Sequence, residues 1–278
     1  MKTKLTPEAI EREYNNRALV PEHPEFFSRW QRDSEYVRST LKGALDLPYG
    51  PDERHRIDLF PAANARGTLV FIHGGYWRSL DKGMFSWLAS PWVAAGINVA
   101  MPNYRFCPGV RIEDIVADAL AATNWLFRAG PAHGIAMDRV VLSGHSAGGH
   151  LVAAIFGAPA SAMEFDPKRV IGGVPISGIF DFEPLLHHSF NADFGLDAAQ
   201  VARLNLYDKR PTIRAPLIVA AGADESPEFR RQSRCLADAW SQQVKALMLL
   251  PSLNHFSVVD AFAERGQPLH DASLALFG

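Results

Sequence analysis

The residues able to do chemistry gather around one serine. The stretch VVLSGHSAGGHLVAAIFG, Val140 to Gly157, runs from a β-branched segment into G-x-S-x-G at Gly144, His145, Ser146, Ala147 and Gly148, then into a helical apolar pattern. A strand that becomes a helix at a single residue drives that residue into a sparsely populated backbone region, and Cβ atoms two positions either side would collide across the bend. Gly144 and Gly148 remove those atoms. The Ser146 hydroxyl then stands at a helix N-terminus, where unpaired N–H groups favour developing negative charge. That is a position suited to nucleophilic attack on a carbonyl.

A serine hydroxyl is weakly nucleophilic at neutral pH, so acyl transfer needs a base and a group that orients the base. Late segments offer both. After APLIVAAG come Asp224, Glu225 and Glu228, and after KALMLLP comes His255. Each follows a strand, which places it on the same sheet edge as Ser146. His270, the other late histidine, sits in a terminal helical stretch. A second loop, HGGYW, leaves the end of the strand TLVFI; N–H groups of Gly75 and Tyr76, spaced by Gly74, could join that of Ala147 as an oxyanion cradle. His73 is read as a brace for this loop, and His145 and His150 as local packing or hydrogen-bonding groups beside the elbow. Tyr76 and Trp77, with Phe182 and Phe190, could line an aromatic pocket, and His145 also borders it.

Positioning these groups takes a sheet. Apolar runs HRIDLF, GTLVFIH, GINVAMP, DRVVLSG, RVIGGVPIS, APLIVAAG and KALMLLP alternate with helical patterns at 84–95, 112–129, 147–157 and 227–242. The alternation predicts an α/β fold, a mostly parallel twisted sheet with helices on both faces, in a single domain over 1–278. Residues 1–45 read as a helical extension that covers the pocket mouth or forms an interface. Residues 182–209 read as an inserted helical lid.

Composition narrows the partners. With 28 Lys and Arg against 30 Asp and Glu, the formal charge is −2 and no like-charge run stands out, which argues against nucleic acid or an anionic membrane as partner. No leader-like segment opens the chain and no run of about 18 apolar residues occurs, so a cytoplasmic location is expected. Cys107 and Cys235 give neither a disulfide framework nor a zinc spacing, and no metal or phosphate-loop motif is present. No cofactor is expected, the partner is a small amide or ester, and a homodimer is a common state for enzymes of this size.

The elbow GHSAGGH, the loop HGGYW, GADESPEF followed by RRQS, NHFSVV and the early LPYGPDERHRIDLF together resemble the kynurenine formamidase (arylformamidase) branch of the α/β-hydrolases, over roughly residues 45–260. The loop is also similar to the H-G-G-G loop of hormone-sensitive-lipase-type esterases, with Tyr76 in place of the third glycine. The resemblance implies Ser146 as nucleophile, His255 as base and then acid, and Glu225 as orienting acid, with Asp224 as runner-up. It implies hydrolysis of an N-formyl aryl amide through an acyl-enzyme. A carboxylesterase on small aryl or short-chain esters is the near alternative, and a catalytically silent binding protein the remote one.

Overall fold

The computed structural model describes residues 5–278. Its centre is an eight-stranded sheet: β1 Ala44–Pro48, β2 Arg56–Phe60, β3 Thr68–Ile72, β4 Asn98–Pro102, β5 Val140–His145, β6 Val170–Ile176, β7 Leu217–Gly222 and β8 Val244–Leu250. The spatial order is β1-β2-β4-β3-β5-β6-β7-β8. The pairs β1–β2 and β2–β4 are antiparallel and the rest are parallel. Seven strands match the apolar runs of the sequence. The eighth, β1, was not expected: ALDLP carries a charge and a proline, and it lies half-exposed at the edge, where tertiary pairing and not apolar content makes it a strand.

The inner strands are buried on both faces, and alternate residues feed two separate cores. Val70 and Ile72 of β3, Val140 and Leu142 of β5, and Leu217 and Val219 of β7 join one core, under helices Ile112–Ala129, Ala147–Gly157 and Pro227–Ala239. Leu69, Phe71, Val141, Ile218 and Ala220 join the other, under His23–Thr40, Ala89–Ala94, Ser257–Ala263 and Pro268–Leu274. Helix Ile112–Ala129 shows why such segments form: Ile112, Ile115, Ala119, Ala122 and Leu126 make one buried stripe, and Asp114 accepts from the Arg111 N–H at 2.9 Å to cap its start.

Two expected helices differ in extent. The segment expected at 84–95 is a 3-10 turn over Lys82–Leu88 followed by the α-helix Ala89–Ala94, because Pro91 has no N–H to give the Trp87 carbonyl and cannot sit inside a longer α-helix. The segment expected at 227–242 stops at Ala239; Trp240 turns inward and its Nε1 donates to the carbonyls of Leu206 and Lys209, at 3.1 and 2.7 Å.

The N-terminal residues form helices Pro7–Tyr14, Asn16–Leu19 and His23–Thr40. Residues 182–209 form a 3-10 turn, Glu183–His187, and short helices Asn191–Phe194 and Ala198–Leu204, which pack through Leu185, Phe194, Val201 and Leu204 onto the first core. No helix among the described residues is long and apolar enough to cross a membrane.

His150, on the elbow helix, is fully buried edge-on to Trp77 and Phe182, and neither ring nitrogen has a hydrogen-bond partner among the described residues. Burial pulls its pKa from 6.5 to about 3. The folded chain therefore holds this ring neutral while the unfolded chain protonates it below about pH 6.5, so the stabilisation is complete at neutral pH and is lost as pH falls. One such group adds at most about 1.4 kcal/mol per pH unit to the acid slope of stability. Urea unfolding between pH 7 and 5 should give a shallower slope for His150→Phe than for the parent chain; equal slopes would contradict the assignment.

Candidate active site

Five loops meet at the C-terminal ends of the parallel strands, the edge at which open α/β sheets present their sites. Ser146 follows β5 with φ 56° and ψ −117°, between strand and helix. Its N–H donates to the Ile176 carbonyl at 2.8 Å and its carbonyl accepts from His150 N at 3.1 Å. A Cβ on Gly148 would lie 1.9 Å from the Ile72 carbonyl oxygen, and one on Gly144 2.5 Å from that of Gly148. Both glycines are therefore steric requirements of the bend.

His255 follows β8 and is buried, with its Nδ1 2.7 Å from Glu225 Oε2. A carboxylate only accepts, so Nδ1 donates to it, the tautomer that in a neutral ring leaves the lone pair on Nε2. Glu225 is also buried; its Oε1 accepts from Ser177 Oγ at 2.5 Å and from Gly222 N at 2.7 Å. Asp224 is exposed one residue earlier, with its N–H on the Leu253 carbonyl. The carboxylate beside the imidazole is therefore that of Glu225. Ser177 escaped the sequence reading, and its one signal is that it follows β6 on this same edge. Glu228 faces elsewhere, accepting from Tyr14 Oη and Arg231. His270 is buried against Trp92, its Nδ1 on the Phe262 carbonyl.

His145 supports the histidine loop from below. Its Nε2–H donates to the His255 carbonyl at 2.8 Å, and the two rings lie 4.6 Å apart. Burial first, and the neighbouring His255 second, hold its pKa well below the ordinary imidazole value, so it stays neutral.

The glycine loop is bent sharply: Gly75, Tyr76 and Trp77 have φ of 119°, 52° and 54°. At Gly75 a Cβ would meet the Ser79 carbonyl at 2.0 Å. No protein acceptor takes the N–H of Gly75 or Tyr76 among the described residues. Gly74 spaces the loop from the elbow; a Cβ there would stand 3.1 Å from Ser146 Cβ. His73 braces it, bonding the Gly74 carbonyl and Asn103 and stacking on Tyr104 at 4.3 Å. The Tyr76 hydroxyl donates to the Tyr14 carbonyl, and burial pushes this phenol far above its ordinary range, so it remains a donor.

Ser146, His145, His255, Gly75 and Tyr76 all line one cavity of about 390 Å³. Its outer wall comes from the N-terminal helices, through Asn15, Asn16, Arg17, Phe27 and Trp30, and from Phe190 and Asp193 of the segment 182–209. Two expected wall residues are core instead. Trp77 and Phe182 are fully buried and pack 5.3 Å from each other, because the left-handed backbone at Trp77 turns its indole beneath the loop.

Comparison with known proteins agrees with this architecture. Residues 69–206 match a family model described as alpha/beta hydrolase fold. A kynurenine formamidase of Salmo salar is 25% identical over 256 residues, 88% of this chain and 85% of that protein; one of Danio rerio is 26% identical over the same shares. A crystal structure from Silicibacter sp. TM1040, described as a "putative thioesterase", superposes with a TM-score of 0.85 at 32% identity, covering 96% of this chain and 98% of that one.

The Glu225–His255 pair is open to direct test. Glu225→Gln should cost about 10³–10⁴-fold in kcat, since a carboxamide cannot stabilise the imidazolium. Asp224→Asn should change kcat by no more than about twofold, as exposed substitutions usually do. A dead Asp224→Asn beside an active Glu225→Gln would reverse the assignment. With the sheet order, the strained serine at the β5 elbow, and relatives that match along most of its length, the chain belongs to the α/β-hydrolases.

Proposed function

We propose that the chain hydrolyses an N-formyl aryl amide, with Ser146 as nucleophile, His255 as general base and then acid, and Glu225 as the carboxylate that holds the imidazole. His255 Nε2 takes the Ser146 hydroxyl proton as Oγ attacks the formyl carbon. The N–H groups of Gly75, Tyr76 and Ala147 receive the oxyanion. Collapse breaks the C–N bond, and His255 gives its proton to the departing arylamine. Water then attacks the formyl ester, with His255 again as base, releasing formate and restoring the serine.

The observation that carries this reading is the buried 2.7 Å contact of Glu225 with His255, which lines the same cavity as Ser146. Charge develops on the imidazole during attack, and a desolvated carboxylate stabilises it more than water would. Loss of one oxyanion donor in such sites costs on the order of 3 kcal/mol, which is why the strained Gly75–Tyr76 loop matters nearly as much as the triad. The formyl preference is supported by the two kynurenine formamidases, and Phe27, Trp30, Tyr76, Phe190 and Phe256 offer aromatic walls for an aryl leaving group. The Silicibacter relative supports a second reading, a thioester or ester substrate at the same serine.

The two readings separate on a substrate panel. N-formylkynurenine should be turned over with kcat/KM at least about tenfold above an aryl acetate and an acyl thioester, and Ser146→Ala should lower kcat by about 10⁴-fold or more. A thioester or acetate preferred over the formamide would overturn the first reading in favour of the second.

A further inference from the structure

The cavity that holds Ser146 contains an unbalanced positive charge. Arg17, Arg78 and Asp193 are its charged lining residues besides the histidines. Arg78 is ion-paired to Asp193, with its guanidinium 3.9 Å above the Phe190 ring. Arg17 has no carboxylate partner among the described residues, and its nearest specific contact is the Phe27 ring, 5.5 Å from the guanidinium carbon. Partial burial first, and repulsion from Arg78 second, act against its charge and lower its pKa below the ordinary guanidinium value. A guanidinium so placed gains from any anion that enters the cavity.

The preceding residue points the same way. Asn16 also lines the cavity, is 4% exposed, and its amide nitrogen has no acceptor among the described residues. A buried amide donor without an acceptor is costly unless a ligand or water completes it. A carboxylate offers two planar acceptor oxygens, the geometry that a guanidinium and an amide serve together. The segment is anchored where this matters: Tyr14, three residues before Arg17, accepts through its carbonyl from Tyr76, and its own hydroxyl bonds Glu228 and Gln232, each at 2.8 Å.

We propose that Arg17, assisted by Asn16, is the specificity element of this site, receiving a carboxylate carried by the leaving-group portion of the substrate. The inference rests on the serine-hydrolase reading of the cavity but not on the formyl preference. It assigns the N-terminal helices a role in recognition, and it restricts the substrate class to acidic aryl amides or esters.

The test uses matched substrates differing only in charge: an aryl formamide bearing a side-chain carboxylate and its primary carboxamide, and the same pair built on aryl acetates. If formamides are not turned over, the formyl reading fails while the acetate pair still reports on Arg17. The parent enzyme should prefer the carboxylate member by at least about tenfold in kcat/KM, mostly through KM. That ratio should shrink at 0.5 M NaCl, as a partly exposed ion pair does. Arg17→Gln should collapse it by about tenfold or more, Arg17→Lys should keep part of it, and Asn16→Asp should also lower it. A ratio that survives Arg17→Gln, or a parent enzyme that prefers the carboxamide, would overturn the proposal. Arg17 is exposed enough that the substitution does not threaten the fold, and equal Tm values for parent and variant would confirm that.

Discussion

Everything at this site depends on how closely the elbow helix presses into the sheet. The Ile72 carbonyl of β3 occupies the space where a side chain at position 148 would begin, and the Ser146 N–H is tied to the Ile176 carbonyl of β6. Clamped between the two strands, the serine has no relaxed alternative and takes a backbone conformation that costs on the order of 1–3 kcal/mol. The sheet supplies the compensation. Its inner strands are buried on both faces, so the strain is held by two cores and not by the loop itself.

The same edge gathers groups from four successive parallel strands. β5 brings the serine, β6 brings Ser177, β7 brings Glu225 and β8 brings His255, in the order in which the strands lie side by side. Each orienting contact is buried and short, so the imidazole has one tautomer and little rotational freedom. His145 adds a brace to the His255 backbone from the residue just before the serine. A single turn thereby sets both Ser146 and the loop that carries His255.

Much of this was legible in the chain. Ser146 and its glycines announce themselves because only one local geometry needs that pattern. His255 and the acidic segment could be found because residues directly after parallel strands share an edge. The choice between Asp224 and Glu225 needed more than propensity, since adjacent residues in a turn point in different directions; the structure buries one and exposes the other. Trp77 and Phe182 were misplaced for a related reason: aromatic composition says that a ring will be buried, not whether a ligand will touch it. Strand β1 was missed because edge pairing leaves little mark on sequence, and Ser177 because a lone serine after a strand has many ordinary explanations. The N-terminal helices were visible as helices, but their place over the cavity is set by contacts with residues more than fifty positions away.

The central claim is that the serine, the imidazole and the main-chain donors converge on one carbonyl. A crystal structure of the enzyme inactivated by an aryl phosphonate measures that convergence in one step. The account predicts a covalent bond from phosphorus to Ser146 Oγ, with the phosphoryl oxygen within about 3.1 Å of the Gly75, Tyr76 and Ala147 nitrogens and His255 Nε2 facing the adduct. An adduct on another residue, or a phosphoryl oxygen turned to solvent away from those three donors, would contradict it.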